Sequence, residues 1–253
     1  MTVPKLSLAG RVAIVTGASR GIGRAIALGF AEAGADVVVC SRTLPDLEKV
    51  AEEIRALGRR SLAVTADIAM KSEVDNLMQK TVEHFGTIDI LVNNAAINVM
   101  RPLIELREDG WDKVMNVGLK GYFLCSQAAA KVMIERKSGN IINMASAAAA
   151  KANPTLGAYS ISKAGVVMLT RVLAVDLARH NIRVNAIGPS IVRTEFSQPL
   201  WSNPDALKSI EAQVPLGRIA ETGDIVGIAL FLSSDLAGYI TGQTIYVDGG
   251  TMA

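Results

Sequence analysis

Val12-Ala13-Ile14-Val15-Thr16-Gly17-Ala18-Ser19-Arg20-Gly21-Ile22-Gly23 is the stretch whose reading decides the fold. An apolar, mostly β-branched run feeds a turn holding three glycines, and an amphipathic stretch follows. The run lacks strict alternation and reads as a strand buried on both faces. Glycines in such a turn let the backbone approach a pyrophosphate. The helix behind it offers unpaired N–H groups and a partial positive charge. A glycine pattern alone is weak; its place between a first strand and a first helix gives it weight. Gly17, Ser19, Arg20, Gly21, Ile22 and Gly23 are therefore candidate cofactor contacts.

The same alternation continues to the end of the chain. Short Val/Ile-rich runs fall at 12–16, 36–40, 61–65, 88–92, 140–144, 182–187 and 244–247. Helical patterns fall between them at 21–33, 45–57, 72–85, 111–136, 159–179 and 222–232. Pro45 near a helix start and Gly58 after its end follow the usual asymmetry. Ser72 is placed to cap the third helix. Strand–helix–strand repetition implies right-handed crossovers. The expectation is one α/β domain over residues 1–253: a doubly wound, three-layer Rossmann-type sandwich with a mainly parallel sheet of about seven strands. Residues 194–217 break the alternation with Pro199, Pro204 and Pro215, exposed-looking Phe196, Leu200 and Trp201, and a short helical pattern after Pro204. A long insertion there reads as a substrate lid.

The chain has 253 residues, 50% hydrophobic and 20% charged, a globular composition long enough to need no disulfide or metal staple. A net charge of +2 argues against nucleic acid or an anionic membrane as the main partner, and 4% aromatics leave little to stack on bases. Cys40 and Cys125 are too few for a zinc site and read as buried free thiols. The opening MTVPKLSLAG lacks the apolar core of a signal peptide, and no run of 18 apolar residues exists. The expectation is a soluble, cytoplasmic protein.

The glycine turn has the form TGxxxGxG, and further motifs recur along essentially the whole chain. Asn93-Asn94-Ala95-Ala96 follows the fourth strand; Ser146 stands thirteen residues before Tyr159-Ser160-Ile161-Ser162-Lys163; Pro189 to Thr194 reads as PxxxxT. In that order the chain resembles the short-chain dehydrogenase/reductase family, whose patterns are TGxxxGxG, NNAG, Ser…YxxxK and PGxxxT. Ala96 and Ser190 replace two of the usual glycines. The resemblance implies Ser146, Tyr159 and Lys163 as catalytic residues. It implies Asn94 and Ala95 along the cofactor cleft, Pro189, Val192 and Thr194 at the nicotinamide carboxamide, and Asp67 and Ile68 at the adenine. Helix capping is the plain alternative for Asp67. The resemblance also implies a homotetramer, with the helices 111–136 and 159–179 at one interface and the last strand and tail at another.

The second strand ends Val39-Cys40-Ser41-Arg42 and carries no carboxylate for a ribose 2′-hydroxyl. Arg42 can fork onto a 2′-phosphate, and Arg20 can reach the same group. Two arginines and no acid select NADP(H), as the resemblance also implies.

Tyr159 and Lys163 stand four apart on one helix face. A free phenol titrates near pH 10, so a neighbouring ammonium and an oxidised nicotinamide are expected to favour tyrosinate. In reduction, the Tyr159 O–H donates its proton as the carbonyl oxygen gains charge, and Ser146 donates a second hydrogen bond.

One position departs from the family. Its NVNLKG-like segment reads Asn116-Val117-Gly118-Leu119-Lys120-Gly121 here, so Gly118 takes the place of an Asn that holds a proton-relay water. Asn116 faces another side of the helix, and activity is expected to persist at a reduced rate.

Residues 97–100, the alanines at 147–150 within 147–155, Ile191 and 196–201 form mainly apolar pocket walls. They suit a hydrophobic ketone or secondary alcohol, and the strongest resemblance is to NADP-dependent carbonyl reductases. The alternatives are a 3-oxoacyl-carrier-protein reductase, docking its acidic carrier on Lys137 and His180, a polyol or sugar dehydrogenase, and a catalytically impaired NADP-binding scaffold.

Overall fold

The computed structural model describes residues 6–253. Residues 1–5, part of the opening stretch read for a leader, lie outside it. Seven strands form one sheet in the order β3-β2-β1-β4-β5-β6-β7. They are β1 (Val12–Thr16), β2 (Asp36–Ser41), β3 (Ser61–Thr65), β4 (Ile90–Asn93), β5 (Gly139–Met144), β6 (Ile182–Pro189) and β7 (Thr244–Val247). Every neighbouring pair is parallel. The sheet is therefore wholly parallel, where a mainly parallel one was expected.

The helices are α1 (Gly21–Glu32), α2 (Leu44–Ala56), α3 (Lys71–Phe85), α4 (Glu108–Met115), α5 (Gly121–Arg136), α6 (Gly157–Ala178), α7 (Gln198–Trp201), α8 (Pro204–Glu211) and α9 (Thr222–Ser233). They cover both faces and divide the core into two layers. Val15, Ile26, Phe30 and Ile225 pack on one side, and Ile14, Leu77, Tyr122 and Val184 on the other. All eight are fully buried. This explains why the inner strands read as continuous apolar runs, since both their faces are covered, while the edge strands β3 and β7 are partly exposed. Cys40 and Cys125 are buried free thiols, as expected. Burial pushes the Cys40 thiol up to about 12 and the Cys125 thiol up as well. Neither offers a thiolate at neutral pH.

Two local expectations change. Ser72 does not cap α3, which begins at Lys71 after an extended Met70 with no side-chain cap. Instead the Glu73 carboxylate in the first turn accepts the Asp67 N–H at 2.7 Å. The expected single helix over 111–136 is interrupted by one π turn, Asn116–Lys120, between α4 and α5. Gly118 is the buried residue of that turn. Wide turns of this kind concentrate at functional sites.

A chain of buried amides fixes α5 and α6 against the sheet. Asn93 Nδ2 donates to Ser126 Oγ (3.0 Å) and to Asn143 Oδ1 (2.9 Å), and Asn143 Nδ2 donates to Thr170 Oγ1 (2.9 Å). These bonds join β4, β5, α5 and α6, so the helix bearing Tyr159 and Lys163 is indexed to the strands beside it. Pairing of this kind lets buried polar groups specify one packing, although Asn93 Oδ1 is buried without a partner.

Candidate active site

The strand order reverses between β1 and β4, and ligands in open parallel sheets bind beyond the carboxyl ends at such a switch point. A cavity of about 710 Å³ lies there. Its wall includes Gly17, Ser19, Arg20, Gly21 and Ile22 from the turn after β1, Arg42 after β2, Asp67 and Ile68 after β3, and Asn94 and Ala95 after β4. Ser146, Tyr159, Lys163, Pro189, Val192 and Thr194 complete it. Of the candidate catalytic and cofactor residues, Gly23 alone lies off the wall.

The turn is shaped by backbone contact. Gly17 has φ +65°, and a Cβ on it would stand 2.8 Å from Ala95 Cα. A Cβ on Gly23 would stand 2.4 Å from the Gly17 carbonyl oxygen and 2.5 Å from Asn94 Nδ2. Only glycine fits either place. Asn94 Nδ2 donates to the carbonyls of Thr16 (2.9 Å) and Gly17 (3.2 Å), and Thr16 Oγ1 accepts the Asn94 and Ala95 N–H groups at 2.9 and 3.2 Å. The NNAA segment thus clamps the glycine turn, a structural role that the sequence reading had not separated from cleft lining.

Arg20 precedes α1 in an extended conformation without a side-chain cap, and the first turn of α1 has no acidic residue. Its N–H groups therefore remain available to an anion. This uncapped N-terminus, beside positions that a Cβ would fill, fits a dinucleotide pyrophosphate. The two arginines differ. Arg20 Nη1 is ion-paired with Glu195 Oε2 at 2.5 Å, whereas Arg42 forms no salt bridge among the described residues. Asp46, not singled out from sequence, also lines the cavity near Arg42, with its carboxylate 3.8 Å from Lys49 Nζ. Asp67 accepts the Ala69 N–H at 3.0 Å, closing a short turn rather than capping α3.

On the opposite wall, Ser146 follows β5. Its Oγ accepts the Ala148 N–H at 3.1 Å and donates to the Pro189 carbonyl at 3.4 Å. Tyr159 and Lys163 lie in the first two turns of α6. Burial pushes the Tyr159 phenol up to about 12, opposed by a hydrogen bond from Ser146. Burial pushes the Lys163 amine down to about 7. The expected direct lowering of the phenol by the ammonium is not what the chain alone provides. Lys163 Nζ turns to Met144 O (2.6 Å) and Tyr122 Oη (3.1 Å), and Ser146 is the neighbour that favours tyrosinate. Tyr122 was missed in the sequence, although it stands one helical turn beyond Gly118.

The substrate end also departs from expectation. The turn at Ala147–Ala149 presents Ala147 and Ala148 to the cavity, while Ala149 and Ala150 face away. Ile97, Met100, Ile191, Phe196 and Leu200 supply the apolar wall. Trp201 instead stacks under the Arg193 guanidinium, 4.9 Å from its ring centre. Asn98, Lys151, Asn153 and Gln213 add polar groups, and Asn98 Oδ1 is buried without a partner. The wall is thus more polar than four alanines suggested. Asn116 is absent from it, while Val117 contributes. Lys137 and His180 follow α5 and α6 at the amino-terminal end of β5 and β6, across the sheet from the cavity.

A family model described as enoyl-(acyl carrier protein) reductase matches residues 17–252. The chain is 43% identical over 239 residues to a 3-oxoacyl-[acyl-carrier-protein] reductase of Staphylococcus epidermidis, covering 94% of this chain and 97% of that one. It is 40% identical over 254 residues to the 2-dehydro-3-deoxy-D-gluconate 5-dehydrogenase of Escherichia coli K12, covering 100% of each. A gluconate 5-dehydrogenase from Burkholderia cenocepacia J2315, solved in complex with NADP and tartrate, superposes with a TM-score of 0.95 at 35% identity, covering 98% of this chain and 97% of that one. The chain belongs to the short-chain dehydrogenase/reductase family, oxidoreductases acting on CH–OH and C=O groups.

Proposed function

We propose that the chain interconverts a ketone and a secondary alcohol with NADP(H). The observation that carries this reading is the single cavity with Ser146, Tyr159 and Lys163 on one wall and the glycine turn with Arg42 on the other. The relative solved with NADP supports the choice of dinucleotide, and so does Arg42, free to pair with a 2′-phosphate.

The Gly17–Gly23 turn and the N-terminus of α1 would hold the pyrophosphate, Asp67 and Ile68 the adenine, and Pro189, Val192 and Thr194 the nicotinamide; all but Gly23 of these named residues line the cavity. The reduced nicotinamide, when bound, supplies hydride. Tyr159 gives its proton to the carbonyl oxygen as charge develops there, and Ser146 donates a second hydrogen bond to the same oxygen. In the reverse direction tyrosinate accepts the alcohol proton. Lys163 would hold the cofactor ribose and, through it, add to the Ser146 hydrogen bond that favours that anion. Residues 194–217 act as the lid: the Phe196 ring lies 6.0 Å from the Tyr159 ring, and Glu195 bonds back to Arg20.

Ile97, Met100, Ile191, Phe196 and Leu200 favour a mainly hydrophobic ketone. A sugar-acid or polyol substrate is the second reading, favoured by Asn98, Lys151, Asn153 and Gln213 on the same wall. Exposed Ile161, Met168, Val172 and Val175 on α6, with Phe123 on α5, form an apolar face that supports association into a homotetramer, testable by light scattering.

The deciding experiment follows NADPH oxidation with a hydrophobic ketone, a 3-oxoacyl thioester and a keto sugar acid. Tyr159→Phe lowers kcat by about a thousandfold with folding unchanged. Unimpaired turnover in that variant overturns the mechanism. NADPH binding with no oxidation of any ketone favours the scaffold reading.

A further inference from the structure

We propose that Tyr122 is a positioning residue for Lys163, holding its ammonium against the foot of the cleft and keeping it charged. The proposal rests on the reading that Lys163 acts in turnover, and it adds a residue that no motif marks.

The geometry is specific. Tyr122 is fully buried on α5, four residues beyond Gly118. Its hydroxyl oxygen lies 3.1 Å from Lys163 Nζ, and its ring centre lies 4.6 Å from the same nitrogen. The Tyr159 ring centre is 5.6 Å away. The ammonium therefore lies within reach of two aromatic rings, with the Met144 carbonyl accepting a further N–H at 2.6 Å. An ammonium has three N–H donors. Two are occupied by the Tyr122 hydroxyl and the Met144 carbonyl, leaving one for the cleft that Lys163 also lines.

The surroundings make this anchor consequential. Lys163 is 1% exposed and forms no salt bridge with a carboxylate among the described residues. The titratable groups around the pair are Tyr159 on α6 and Cys125 on α5; β5 contributes only the Met144 carbonyl. Gly118 in the π turn offers no side chain, and a Cβ there would press to 3.0 Å of Ser162 Oγ. The charge thus depends on two acceptors and two ring faces. Burial already brings Lys163 down to about 7, so losing one acceptor neutralises it near neutral pH.

The test uses the full chain labelled with 13C-lysine. The Lys163 Cε resonance is assigned with Lys163→Arg and titrated in wild type, in Tyr122→Phe, and in protein carrying 3-fluorotyrosine at position 122, which keeps the packing while weakening the oxygen as an acceptor. The Lys163 midpoint is expected to fall by about one pH unit in Tyr122→Phe and by less with fluorotyrosine. In the kinetics, kcat of Tyr122→Phe is expected to drop about tenfold near pH 8 and to recover at lower pH, with the ketone KM unchanged. An unchanged midpoint in either folded protein overturns the proposal, as does a lowered melting temperature with wild-type pH dependence. Full turnover by Tyr159→Phe would overturn the proposed reaction instead and leave the Lys163 titration as an independent measure of Tyr122.

Discussion

The glycine turn and the 194–217 segment border one cavity, yet they are held by different means. Around the turn, backbone meets backbone: Gly23 stands against the Gly17 carbonyl with no room for a methyl group, and Asn94 and Thr16 tie the two loops with four hydrogen bonds. The 194–217 segment relies on side chains. Ser197 Oγ donates to the Val192 carbonyl and accepts from Trp201 Nε1 at 2.9 Å, Glu195 pairs with Arg20, and one backbone bond, from the Leu216 N–H to the Gly249 carbonyl at 3.1 Å, ties the far end. Phe196 is 48% exposed and Leu216 71%. The dinucleotide end is thus preformed, and the other end can change shape without disturbing the sheet. A cleft built this way keeps one cofactor while its substrate varies.

The largest effect is expected where the backbone is tightest. Gly23→Ala forces the Gly17 carbonyl and Asn94 apart, lowering stability by about 2–3 kcal/mol and NADPH affinity more than a hundredfold. Denaturant melts and fluorescence titration measure both, and an alanine accepted with wild-type affinity would break the contrast. Arg42→Ala removes a charge-assisted contact at the adenine end. It is expected to reduce the NADPH-over-NADH ratio of kcat/KM by about ten- to thirtyfold while leaving NADH kinetics intact.

A smaller effect concerns the floor shared by both ends. Lys163 titrates at about 7 in the folded chain against an ordinary 10.5, so the unfolded chain holds an extra proton between these values. Stability of cofactor-stripped protein is therefore expected to rise with pH from about 7 upward. Tyr159, pushed up to about 12 from 10, opposes this only above pH 10. Urea melts at pH 7, 8 and 9 should show the rise, and Lys163→Met should flatten it. An equal slope in that variant would remove Lys163 as its source.

Glu195→Gln is expected to do least. The Arg20–Glu195 pair is exposed at 70% and 66%, and such pairs contribute about 0–1 kcal/mol. The melting temperature should stay within error, and a several-fold change in NADPH affinity would show that the 194–217 segment is held more firmly than this pairing suggests.

The preformed half was readable because its signals are local. The run 12–16 became β1 without change, and the glycine spacing identified the turn directly. Asn94, Ser146, Tyr159 and Lys163 were marked by the family resemblance of short motifs, and all four line the one cavity. The other half depends on what meets what across space. Nothing near Glu195 announces Arg20, 175 residues earlier. Periodicity over 111–136 could not reveal the π turn, which reflects packing of Gly118 against Ser162. The four alanines looked equivalent until a tight turn separated Ala147 and Ala148 from the next two. Tyr122 shared its pattern with ordinary core residues, because a buried phenol and a buried leucine occupy the same helix face.

The interior position of β1, between β2 and β4, also orders events during synthesis. Its β4 neighbour pairs through Ala13↔Ile90, so one edge of β1 stays open until residue 90 has left the ribosome. The Thr16 and Gly17 carbonyls wait for Asn94 over the same interval, 78 and 77 residues downstream. The nucleotide pocket is consequently a late product of translation, and a nascent chain halted before β4 carries the glycine motif without the clamp that shapes it.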